Sequence, residues 1–205
     1  EGEKETYSDF MEKLEASFSD ASVVLNPLSE LEKHQDEYIY FRTDNNWTMR
    51  GAFYGAQVIF RELGYEEENL DAYRTYVFGT FVGNLLMNAS NRYKADKIKK
   101  DIDNIEQEPF YIYINGSNPN CEELTFEKTE GQQQTLKRQM IQFKSGGSGA
   151  VIGSDYAHSV VEGRGKGQRK GNLLLIADKR GKMMISYLSE IFEMVYVSNI
   201  YVDAD

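Results

Sequence analysis

The sequence predicts an α/β domain, three layers deep around a mainly parallel central sheet, and three observations lead there. Residues 172–177 read as a strand whose 173–177 stretch is an uninterrupted apolar run, 181–192 carry helical spacing, and 194–197 are a second buried run. That order makes a strand–helix–strand crossover, which places the two strands side by side and parallel, in a sheet covered on both faces. Residues 22–25 add a short β-branched run between two amphipathic segments, and the 205-residue chain can close a core without disulfides or metal.

The elements follow in chain order. Tyr7, Phe10, Met11, Leu14 and Phe18 recur at helical steps across residues 3–17, so this helix should lay an apolar stripe on the sheet. Residues 22–25 read as a buried strand stopped by Asn26-Pro27, and a second helical segment runs through Lys33. Residues 38–41 read as an extended piece leading into a polar loop. Thr48 can N-cap a helix through Leu63, with Phe53, Ala56, Phe60 and Leu63 on one face and Gly64 as its stop. A lysine- and aspartate-rich helix is expected over 91–105, as a solvated face. Strands are expected at 110–114, ended by Asn115-Gly116, and around 124–128. Short strands joined by turns fill 151–161, between glycine-rich loops at 145–149 and 163–171. Residues 1–205 are one domain, with 106–171 a β-rich insertion.

Composition removes several classes of function. A formal charge of −10 repels phosphate backbones and anionic headgroups, which argues against nucleic acid. One cysteine and two histidines cannot build an internal disulfide or a common zinc site, and no cofactor is expected. No apolar run reaches membrane-helix length, and the polar start at 1–6 holds no signal-peptide core, so any export signal is expected to be absent from this chain.

Chemistry is expected beyond the carboxyl ends of the strands, in the loops after Phe41 and Ala177. These loops carry Thr43-Asp-Asn-Asn-Trp-Thr-Met-Arg-Gly51 and Asp178-Lys-Arg-Gly-Lys182. Three other features have ordinary readings. Ser154, Asp155, His158 and Ser159 are close in sequence, whereas a triad gathers distant residues. His34 reads as a solvent-facing helix-end residue. The basic 163–171 loop lacks a phosphate-loop pattern and reads as a turn, although it could hold an anionic polymer. Trp47, Tyr40, Phe53 and Tyr54 could stack on a sugar, but core packing is the simpler reading for Phe53 and Trp47.

Tyr40-Phe-Arg-Thr-Asp-Asn-Asn-Trp-Thr-Met-Arg-Gly-Ala52 resembles the signature of the DHHW family, which is similar to bacterial alginate and cell-wall O-acetylation proteins. Phe78-Gly-Thr-Phe-Val-Gly-Asn84, Val151-Ile-Gly-Ser-Asp-Tyr156 and Leu173-Leu-Leu-Ile-Ala-Asp178 resemble its later segments, in order. The resemblance implies an SGNH-hydrolase-like, flavodoxin-like sandwich with circularly permuted motifs, here N-terminally shortened. It implies an extracytoplasmic or cell-surface location, polysaccharide or other cell-envelope proteins as partners, and O-acyl transfer or ester hydrolysis as the family chemistry.

In the family scheme an aspartate, a histidine two positions later, and a serine following an aspartate in the second loop form the triad. Asp44 matches the aspartate, Asn46 stands at the imidazole position, and Lys179 stands at the serine position. An arginine expected after the last strand is not evident near Tyr201. A carboxamide cannot take the nucleophile's proton near neutral pH, and an acylated lysine amine would stall as a stable amide. Loss of serine or histidine costs roughly a millionfold in turnover in a serine protease. The expected protein is therefore a catalytically degenerate member acting as a carbohydrate-binding or accessory protein. Arg42, Trp47, Asp178, Arg180 and Tyr201 are its expected substrate contacts; Lys179 could pair with Asp44 across the vacated imidazole space, or Lys179 and Arg180 could point into water from an exposed loop. Two alternatives stay open: acetyl transfer through another constellation using Asp44, Asp178 or Ser154, or a structural module whose partner covers the cleft.

Overall fold

The computed structural model describes residues 6–18, 22–92, 108–116, 120–126, 133–141, 151, 158–163 and 171–199. Helices α1 (Tyr7–Ser17), α2 (Leu28–Glu32) and α3 (Met49–Glu62) precede β1 (Arg74–Phe81) and α4 (Asn84–Arg92). Strands β2 (Glu108–Ile114), β3 (Asn120–Phe126), β4 (Gln133–Gln139) and β5 (His158–Glu162) follow. The chain continues through β6 (Asn172–Ala177), α5 (Lys179–Lys182), α6 (Ile185–Leu188) and β7 (Met194–Asn199).

The class is mixed α/β, and β6 and β7 are parallel neighbours as the crossover requires. The expectation of a mainly parallel sheet is corrected. The five-stranded sheet has the order β4-β3-β5-β7-β6, and every pair in it except β6 with β7 is antiparallel. The short 127–132 connection is too brief for a crossover helix, so β3 and β4 can only pair antiparallel. Strands β1 and β2 form a separate antiparallel ribbon with an irregularity between Val77 and Thr80. The strand-rich segment after residue 106 thus supplies both sheets.

Three further expectations are revised. Residues 22–25 are not a strand and Val23 is largely exposed, because the run stops at Asn26-Pro27 before finding a partner strand. In α1 only Met11 is buried, while Tyr7, Phe10 and Phe18 remain about half exposed. Leu174 and Ile176 project from β6 at 65% and 64% exposure, so the parallel pair is not covered on both faces. Of the helix expected over 91–105, only residues 91 and 92 are described, at the end of α4, and the rest lies outside the described residues. So do most of the two glycine-rich loops, Ser154 and Asp155.

Helix α3 organises the core. Thr48 caps it, accepting from the Gly51 N–H, and Gly64 stops it at φ +74°. Its buried side chains Met49, Ala52, Phe53, Ala56 and Phe60 pack between the β2 face and α6. Fully buried Tyr187 joins these layers, meeting Phe53 edge-on at 5.3 Å and donating its hydroxyl to the Met49 carbonyl at 2.8 Å. Each large apolar side chain buried here contributes about 1.5–3 kcal/mol.

The 38–41 segment is pinned to the small sheet by Glu108, 2% exposed at the start of β2. Its Oε2 accepts from the Tyr38 hydroxyl and, at 2.7 Å, from the Arg42 N–H. Burial pushes this carboxyl up. The nearby Thr43 hydroxyl and the Tyr38 and Arg42 donors outweigh that and hold it below the ordinary glutamate value of 4.5.

Two outcomes follow for stability. A Cβ at Gly51 would lie 2.3 Å from the Ile39 carbonyl oxygen and 2.8 Å from the Trp47 Cβ, so Gly51→Ala should cost about 1–3 kcal/mol in urea denaturation. A carboxyl held low stabilises the fold fully above its unfolded pKa and loses that contribution as pH falls through its folded one. Glu108→Gln should therefore cost about 1–3 kcal/mol at neutral pH and flatten the decline in stability below about pH 5, checked by denaturation across pH.

Candidate functional site

The first loop closes on itself before it meets anything else. Tyr40 and Trp47 form an isolated antiparallel bridge, the Phe41 N–H donates to the Asn46 carbonyl at 3.2 Å, and the Thr48 N–H donates to the Ile39 carbonyl at 2.9 Å. The Thr48 hydroxyl also donates to the Tyr38 carbonyl. Residues 41–46 are thereby held as a tight turn whose exit is the start of α3.

Asp44 lies inside this turn and is only 6% exposed. Oδ1 accepts from the Asn46 N–H at 3.0 Å and from the Asn46 side-chain amide at 2.5 Å. Oδ2 accepts from the Asn84 N–H at 2.9 Å, the first residue of α4. A helix N-terminus favours a carboxylate, and hydrogen bonds to a charged acceptor stabilise by about 1.5–3 kcal/mol each. Thr43 holds the same junction, its hydroxyl accepting from the Gly83 N–H and its carbonyl from the Leu85 and Leu86 N–H groups. A Cβ at Gly83 would lie 2.3 Å from the Thr43 carbonyl and 2.5 Å from the Asp44 Cβ, so only glycine permits this approach.

The second loop reaches the first through Arg180. The Trp47 indole N–H donates to the Arg180 carbonyl at 2.9 Å, while the indole lies against Gly55 near the Met184 sulfur. With the Asn45 amide turned to satisfy both neighbours, its N–H₂ donates to Asp44 Oδ1 and its carbonyl accepts from the Arg180 guanidinium, each at 3.1 Å. Asp178 caps α5, its Oδ1 accepting from the Arg180 and Gly181 N–H groups at 2.9 and 3.0 Å.

The structure therefore brings Asp44, Asn46, Trp47, Asp178 and Arg180 into one region. Of the two readings of Lys179, it does not form the Lys179–Asp44 pair. Lys179 is exposed, no ion pair joins it to Asp44, and amide and N–H donors already fill that carboxylate. Arg42 is exposed, stacks its guanidinium 5.6 Å above the Tyr38 ring, and lines a cleft of about 530 Å³ with Tyr40, Leu28 and Asp36. Trp47 and Phe53 join the core. Tyr201 lies outside the described residues. His158 and Ser159 sit on β5, and Ser159 is 2% exposed. His34 is a correction: it lies flat on Tyr54 at 3.6 Å, with Nδ1 at 2.7 Å from Glu37.

Asn84, Gly83, Asn45 and Glu108 belong to the site and were not singled out as site residues from sequence. The recurrence of Gly-Asn at 83–84 directly ahead of a helical stretch was the available signal. The group beside Asp44 is the Asn46 carboxamide, which takes no proton near neutral pH. No group of three or more histidine, cysteine, aspartate or glutamate residues arranged for a metal occurs among the described residues.

The fold has solved counterparts. A DHHW family protein from Eubacterium siraeum DSM 15702 aligns with a TM-score of 0.73 and 21% identity, over 96% of this chain and 62% of that one. PatB1 from Bacillus cereus, in a structure with a sulfonyl adduct, aligns with a TM-score of 0.65 and 14% identity, over 95% of this chain and 64% of that one. A second PatB1 structure gives 0.54 and 15%, over 95% and 60%. The chain thus spans less than two thirds of the length of these relatives, and identities this low speak for the fold alone. No curated protein matches the sequence. The family model described as DHHW protein matches residues 22–198, most of the chain, and the chain belongs to the DHHW family.

Proposed function

We propose that this chain is a DHHW-family protein that has lost its ester chemistry and serves as a carbohydrate-binding or accessory protein in polysaccharide O-acylation, outside the cytoplasm. One observation carries the reading. The Asn46 side-chain amide donates to Asp44 in the position where a triad aspartate would orient an imidazole, so the orienting carboxylate is kept and the proton acceptor is absent. Lys179, at the nucleophile position of the family scheme, is exposed to solvent and is not hydrogen-bonded to Asp44. An ester entering this site meets neither an activated nucleophile nor a general base.

Binding would use the walls. Tyr40, 49% exposed, and Arg42 line the cleft beside the first loop, where an aromatic face and charged groups suit a pyranose ring and its hydroxyls. No helix among the described residues is long and apolar enough to cross a membrane. Asp178, a candidate for an alternative constellation, is committed to capping α5.

Restoring both groups tests the loss of chemistry. Asn46→His combined with Lys179→Ser should hydrolyse a chromogenic acetate ester at least about tenfold faster than the parent, while either single change stays at background, because nucleophile and base act as a unit. Equal rates in all four proteins would count against the alignment of these positions, and turnover by the parent would refute the degenerate reading outright. Binding is tested separately on an array of acidic and acetylated polysaccharides, where Tyr40→Ala should weaken any captured glycan about tenfold. An array blank for the parent would remove the carbohydrate role.

A further inference from the structure

A second cavity, on the other side of α3's first turns, has features of a binding site. It encloses about 620 Å³ between α2, α3 and the 67–71 segment, within the size range of small-molecule sites. Gln57 lines it from α3 and is 4% exposed. Its Oε1 accepts from the Glu68 N–H at 3.0 Å, which fixes the amide's orientation. Its Nε2 then has no hydrogen-bond partner among the described residues. A buried donor left unmade costs about 1–3 kcal/mol, so an acceptor arriving from the cavity recovers a real deficit.

The charges around it are unequal. Glu30 is neutralised by Lys33 at 2.8 Å and Arg61 at 3.1 Å, Glu67 by Arg61 at 2.6 Å, and Glu37 by Arg50. Glu68 and Asp71 also line the cavity, and neither has a cationic partner among the described residues; Glu68 accepts only the Tyr73 hydroxyl. His34, stacked on Tyr54 between Glu30 and Glu37, closes one wall. The surplus is negative and the buried orphan is a donor, so the fitting ligand is cationic and also carries oxygen acceptors.

We propose that this cavity binds a hydroxylated primary amine of monosaccharide size, an amino sugar with its amine unacetylated. Its ammonium group meets Glu68 and Asp71, and a hydroxyl or ring oxygen accepts from Gln57 Nε2. The remaining hydroxyls donate to the surrounding carboxylates. This site is separate from the Asp44 region and stands whether or not the chemistry there is lost.

Calorimetric titration of the whole chain with glucosamine, and with N-acetylglucosamine as the uncharged counterpart, tests it. Glucosamine should bind at least about tenfold more tightly, and its affinity should fall as salt rises. Asp71→Asn, at an exposed position, should weaken glucosamine about three- to tenfold, and Gln57→Leu about tenfold. Should Gln57→Leu fail to fold, the exposed variant and the comparison of the two sugars decide. Equal affinity for both sugars, no saturable glucosamine binding, or affinity unchanged in Asp71→Asn would overturn the proposal.

Discussion

A carboxylate held almost out of water needs its donors arranged around it, and Asp44 is the point to which this structure brings them. Its two oxygens accept from the turn that carries it, through Asn46, and from the first turn of α4, through the Asn84 N–H. Asn45 extends the same network to Arg180 of the second loop. Residues separated by about forty positions on one side and well over a hundred on the other are thus fastened at one charge. Glycine at 83 is what allows α4 to approach so closely.

The same geometry gives several residues of the family signature direct structural roles. Asp44 Oδ1 accepts from the Asn46 side-chain amide as well as its N–H, which ties the turn to this carboxylate. Trp47 has a structural role as well, since its ring packs against Gly55 and its N–H holds the Arg180 carbonyl. Thr48 caps α3 and Asp178 caps α5, so two more residues of the signature regions serve the fold directly.

Much of this was legible in the sequence where local rules govern. The cap at Thr48, the stop at Gly64 and the parallel pairing of 172–177 with 194–199 follow from capping chemistry, glycine's access to positive φ and the crossover rule. What failed was non-local. The apolar character of 22–25 cannot reveal that no strand is available to pair with it, and the pattern of 172–177 cannot reveal that one face stays open. Strand direction in β3–β5 depends on connection length, which apolar runs do not encode. In the site, the adjacency of the two loops was readable from the family resemblance, but Arg180 rather than Lys179 makes the link. Side-chain saturation of Asp44 by backbone N–H groups leaves no trace in residue spacing. The stacking of His34 on Tyr54 was equally hidden, because it depends on how α2 lies against α3.

The most direct measurement is the stability of Asp44→Ala by equilibrium denaturation, with Asp44→Asn beside it. If this carboxylate fastens three segments, Asp44→Ala should lose about 3–5 kcal/mol, and Asp44→Asn should lose most of that because the amide keeps the shape without the charge. A loss under about 0.5 kcal/mol in both variants would show that the fold does not depend on this charge, and the account built on it would be wrong.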